Sequence, residues 1–194
     1  MRVKPENNAS KACCEPLNSH RAMEPSEALS TAAQIAVALA GFAGVVVVFR
    51  RESVHEWSPI DKYRLRLLLM NSILPLAFCT VGMLLLTVKP VLPGIWRWCS
   101  GLMLVIVLPF ALTTTKGFRR LDPHQLQSVR GTGFGFYLFG ILGIGAVLLQ
   151  FCNIAILNTF WPFFTGIIVH LLAAMFQFAR IILLPPEQQQ SDQD

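Results

Sequence analysis

The sequence predicts an all-α integral membrane bundle of about five transmembrane helices, and three observations carry this. Hydrophobic residues make up 54% of the 194 positions and charged residues only 14%, an apolar excess over ordinary soluble chains. Uncharged runs long enough to cross hydrocarbon recur along the chain, separated by short polar or proline-containing segments. Basic residues sit at the ends of those runs, where they orient spans and meet anionic head groups. The net charge of +5 is therefore not a nucleic-acid footprint, which would need a basic patch with interleaved aromatics on a soluble module. No nucleic-acid partner is expected.

Residues 1–27 are polar, carry Pro5, Pro16 and Pro25, and lack an apolar core. They predict a flexible tail rather than a signal peptide. Met23 opens a sensible membrane-protein start, so translation from Met1 or from Met23 both fit the sequence. The first span, 28–49, is uncharged from Ala32 to Phe49. Ala28, Ala32, Ala36, Ala40 and Gly44 recur every four residues, and small residues on one stripe let a second helix approach the backbone closely. Ala32, Ala36, Ala40 and Gly44 are therefore the expected helix-packing residues.

The second span, 63–88, follows a basic lead of Lys62, Arg64 and Arg66 and places Asn71, Pro75, Cys79 and Gly82 on one stripe, with a kink expected at Pro75. A tight proline-rich connection, Lys89–Gly94, leads to the third span, 95–114, with Trp96 and Trp98 as an interfacial belt and Pro109 interrupting its second half. In the polar segment 115–134, Asp122–Pro123 signals a short surface helix at about 123–130. The fourth and fifth spans, 136–157 and 161–184, are joined by so few residues that they must form an antiparallel hairpin. Residues 185–194 read as a disordered tail.

Amides and imidazoles within a span face protein or a water-filled cavity, because burying them alone is costly. They gather in the last hairpin. Gly143, Ala146, Gln150 and Asn153 form one stripe, and Gly166, His170, Ala173, Gln177 and Arg180 form another. Folding the chain about Thr159 predicts a hydrogen bond from His170 to Gln150 or Asn153. Gln150, Asn153, His170 and Gln177 are thus either glue between helices or a proton or solute pathway. Glue is favoured, because the spans lack an Asp or Glu at depth to serve as a proton partner.

Enzymatic readings fail on their details. A Ser100–His170 dyad would need a glycine two residues before the serine, where Trp98 stands, and glycines after the histidine, where Leu171–Leu172–Ala173–Ala174 stand. The glycines from Gly131 to Gly145 match no phosphate-binding loop. Cys79, Cys99 and Cys152 lie in or beside apolar runs, Cys13 and Cys14 are tail neighbours, and no spacing suggests a metal site. No catalytic residue, cofactor or metal is expected.

The segment Ser26–Arg50, SEALSTAAQIAVALAGFAGVVVVFR, resembles the opening of a family of small, uncharacterised bacterial multi-pass membrane proteins. That resemblance covers about an eighth of the chain, implies a bacterial inner membrane and brings no activity with it. Orientation follows from the basic residues. Ten of them fall on the side that holds 50–66, the 115–134 loop and Arg180, against six on the other. The N-terminus is then outside and the C-terminus cytoplasmic. The expected role is a non-enzymatic membrane component whose partners are the bilayer and either a further copy of itself or another membrane protein. The alternative is a small transporter or channel using the polar face of the last two helices.

Overall fold

A computed structural model describes residues 23–49, 59–88, 93–119 and 132–183. Five helices cross the bundle: α1 (Pro25–Phe49), α2 (Pro59–Thr87), α3 (Ile95–Arg119), α4 (Thr132–Cys152) and α5 (Phe160–Leu183). A π-helical turn, Asn153–Leu157, follows α4 directly. Each helix is long and apolar enough to span a membrane. The expected surface helix at 123–130, most of 1–27 and the tail 185–194 lie outside the described residues.

The helices outrun the expected spans. Proline is the first residue of α1 and of α2, where its missing N–H costs nothing, so α2 begins before Tyr63. α3 continues past Thr114 to Arg119. Neither Pro75 nor Pro109 ends its helix, which corrects the expected interruption at Pro109. Proline removes one backbone donor, and a transmembrane helix carries on when neighbouring groups take over the freed carbonyls.

Contacts between opposite helix ends establish the up-and-down order. Leu29 near the start of α1 meets Gly82 near the end of α2. The Tyr63 hydroxyl, at the start of α2, donates to the Thr114 carbonyl near the end of α3 at 2.7 Å. Phe42 of α1 and Phe178 of α5 share a ring contact at 5.8 Å. One end of the bundle therefore collects the starts of α2 and α4 with the ends of α1, α3 and α5. The other end holds the α4–α5 turn and the starts of α1 and α3.

The core lies where α1, α2 and α5 meet, with Leu29, Ala32, Ala36, Leu68, Phe78, Phe163, Ile167 and Ala174 among its buried residues. α4 lies on the outside, with Tyr137, Ile141, Ile144 and Leu148 exposed. The small-residue stripe of α1 divides in two. Ala28, Ala32 and Ala36 are buried, Ala40 is partly buried, and Gly44 is exposed with nothing near enough to touch a Cβ placed on it. The buried face shifts instead to Leu39 and Ala43. Four residues turn a helix by about 40° more than a full circle, so a strict four-residue stripe winds off a fixed contact face. A face held against one neighbour needs mixed three- and four-residue steps.

Because Ala36 is fully buried against the chain's own helices, Ala36→Leu should lower unfolding stability in detergent by about 1–3 kcal/mol through overpacking. Unchanged thermal unfolding would contradict the placement of α1.

Candidate functional site

The polar side chains of the last hairpin are organised around Asn153, which is 0% exposed. Its position is set by the end of α4, where the chain widens into the π turn and the Asn158 N–H donates to the Asn153 carbonyl at 3.0 Å. Asn158 then takes the left-handed conformation, with φ 46° and ψ 46°. Asparagine is among the few non-glycine side chains that tolerate it. That reversal aims the next backbone N–H, of Thr159, at the Asn153 side chain, which accepts through Oδ1 at 2.9 Å. The Nδ2 group of the same side chain points the other way and donates to Ser100 Oγ of α3 at 2.7 Å, with a longer bond to the Trp96 carbonyl. One amide thus closes the hairpin and ties it to α3.

Gln150, one turn earlier, is 2% exposed and donates through Nε2 to the Pro162 carbonyl at 2.7 Å. Gly166 lies directly opposite. A Cβ there would come within 2.9 Å of Gln150 Nε2 and 2.5 Å of Met103 Sδ, so glycine is what lets α5 approach.

His170 belongs to a different contact. Its Nδ1 lies 2.8 Å from Asn71 Oδ1 of α2, and its ring is 6.5 Å from that of Phe110 in α3. The expected hydrogen bond from His170 to Gln150 or Asn153 is therefore corrected. Both amides are engaged nearer the hairpin turn, and His170 instead faces α2, against which α5 packs extensively. The Asn71 amide donates through Nδ2 to the Leu67 carbonyl at 2.9 Å, so its Oδ1 accepts and His170 donates through Nδ1. Pro75, four residues on, has no N–H to give the Asn71 backbone carbonyl.

Ser100 and His170 do not form a dyad, since each is committed to a different asparagine. Gln177 is buried near the end of α5, and no hydrogen-bond partner for its Oε1 is found among the described residues. Among the described residues, no group of three or more His, Cys, Asp and Glu side chains could hold a metal. Cys79 and Cys99 are buried free thiols and Cys152 is an exposed one.

Two participants escaped the sequence reading in their actual roles. Ser100 was weighed only as a nucleophile, and Asn71 only as part of a stripe. The signal for the turn was present in Asn158–Thr159, since asparagine is a favoured left-handed terminator after a helix.

The fold and the composition of its helices define a helical multi-pass membrane protein. No known protein-family model matches the chain, and no similar curated protein or solved structure is found.

A double-mutant cycle on Asn71→Leu and His170→Leu should give a coupling of about 0.5–2 kcal/mol in detergent unfolding. The corresponding cycle on Gln150 and His170 should give none, and the reverse ranking would contradict this arrangement.

Proposed function

We propose that the chain is a non-enzymatic component of a cell membrane that associates laterally with another transmembrane helix through the C-terminal half of α1. The observation that carries this is the divided stripe. Its first half is taken up by the chain's own α2 and α5, while Gly41 and Gly44 remain open, beside exposed Phe42, Val45 and Val48. Small residues on a lipid-facing surface favour close helix approach where hydrocarbon gives helices no hydrophobic reason to pair. The polar residues support a structural role as well. Asn153, Gln150 and His170 each make a hydrogen bond between helices, as glue does, while Gln150 Oε1 has no partner among the described residues. A small transporter or channel, the alternative, would use those groups to contact water or solute. The resemblance over Ser26–Arg50 makes a bacterial inner membrane the proposed location.

Orientation is supported by charge. Among the described residues, Lys62, Arg64, Arg66, Lys116, Arg119 and Arg180 belong to one end of the bundle. Arg97 is at the other, together with Glu24 and Glu27. Positive ends stay cytoplasmic, which puts the N-terminus outside and the C-terminus inside.

Gly44→Leu is the discriminating variant, since a Cβ at this exposed position meets nothing within 4 Å among the described residues. It should leave thermal unfolding unchanged while abolishing co-purification of a stoichiometric partner, or self-association, in mild detergent. Retention of the same complex by Gly44→Leu would refute the assignment of this surface.

A further inference from the structure

One amide of the spans takes no part in the ties between helices. Gln34 of α1 is exposed, and its side chain makes no hydrogen bond to the described residues. It is the only polar side chain in the uncharged stretch from Ala32 to Phe49. Glu27, the nearest charged residue, is two turns away, about 10 Å along the axis, so Gln34 lies within the hydrocarbon. Lysine and arginine escape such a position by reaching the interface with long stems, and the glutamine arm is shorter. An amide left facing lipid is costly, and polar residues at depth face protein or a water-filled cavity. The partner Gln34 requires is not supplied by the described part of its own chain.

The face around Gln34 is also unpartnered. Steps of three and four residues lead from it to Val37, Gly41, Gly44 and Val48, and all four are exposed, as are Ala38 and Val45 beside them. Such alternating steps keep residues in line along one side of a helix that packs against another. Gly41 stands two turns from the amide and in line with it, and a Cβ there or at Gly44 meets nothing within 4 Å. The association surface assigned above to the C-terminal half of α1 is thus continuous with Gln34. In paired helices a single amide in such a line fixes register and the number of strands.

The chemistry of the amide selects the occupant. Glutamine carries both donors and an acceptor. Copies of one chain insert in one orientation, since the same basic residues orient each of them. A two-fold axis between copies in one bilayer therefore runs along the membrane normal and sets every residue at the depth of its own counterpart. Gln34 then meets Gln34, with each Nε2 donating to the other's Oε1, and Gly41 meets Gly41 where the backbones come close. A helix of a different protein would have to carry a matching polar group at that one depth. We infer that two copies of this chain pair side by side through the Gln34, Val37, Gly41, Gly44 and Val48 face of α1, with reciprocal Gln34 hydrogen bonds as the polar tie. The inference rests on the reading of α1 as an association surface and names what covers it.

The test uses the full chain, labelled at its N-terminus with donor or acceptor dye and reconstituted into vesicles of phosphatidylcholine and phosphatidylglycerol. Energy transfer is followed as the protein-to-lipid ratio falls. The parent chain should fit a monomer–dimer equilibrium. Gln34→Leu should weaken it about tenfold, the effect of losing two hydrogen bonds between helices. Thermal unfolding of the diluted Gln34→Leu monomer should match the parent, because the side chain has no hydrogen-bond partner within it. A dimer weakened by Gly44→Leu but not by Gln34→Leu overturns the amide tie. A chain that stays monomeric, yet holds a different membrane protein in a Gly44-dependent complex from native membranes, overturns the second copy and leaves the α1 surface standing. A monomer with no such complex, or a dimer indifferent to both substitutions, overturns both.

Discussion

In hydrocarbon an amide without partners is costly, since no water is present to hydrogen-bond it. Asn153 is fully buried at the end of α4 and resolves that cost in two directions. Its oxygen accepts from the backbone of the α4–α5 turn, and its nitrogen reaches Ser100 on α3. That one side chain closes the hairpin turn and ties it to α3. Once that end is fixed, the register of α5 follows. Gly166 is placed opposite Gln150, and His170 is placed at the depth of Asn71 on α2.

The other organising element is the distribution of small residues. Where alanine faces the interior, α1 lies close to α2 and α5. Where alanine and glycine wind off that face, they leave a smooth outer surface. A single regular repeat therefore serves inside the protein at one end of the helix and is open to the membrane at the other, with Ala36 and Gly44 as its two extremes. Charge follows the same long axis. Among the described residues, arginines and lysines concentrate at the end opposite the Asn153 turn, so the end closed by neutral amides and the end rich in cations are chemically distinct.

The number and approximate place of the spans were legible because uncharged length is set by bilayer thickness, a constraint acting on each segment separately. The last hairpin was legible for a related reason, since so few residues between two spans permit only a reversal. Pairing between helices was not. Placing His170 opposite Gln150 assumed that residues at similar depth on one hairpin face each other. The actual partner, Asn71, is ninety-nine residues away and is brought there by packing of α2 on α5. Likewise, the Ala28–Gly44 stripe was visible as spacing, but which half faced protein depended on where α2 and α5 lie. Ser100 and Asn153 were both visible as polar residues in apolar runs, yet only the fold joins them.

The central claim is that Asn153 holds the last hairpin to α3. It is tested most directly by the unfolding free energy of Asn153→Leu in bicelles, compared with the parent chain. Leucine keeps the branched shape, though it is bulkier, but removes both amide contacts and leaves the Thr159 N–H without its acceptor. A loss of about 1–3 kcal/mol is the result predicted. Stability equal to that of the parent chain would contradict the account, because the Asn153 contacts would then contribute nothing to holding the hairpin.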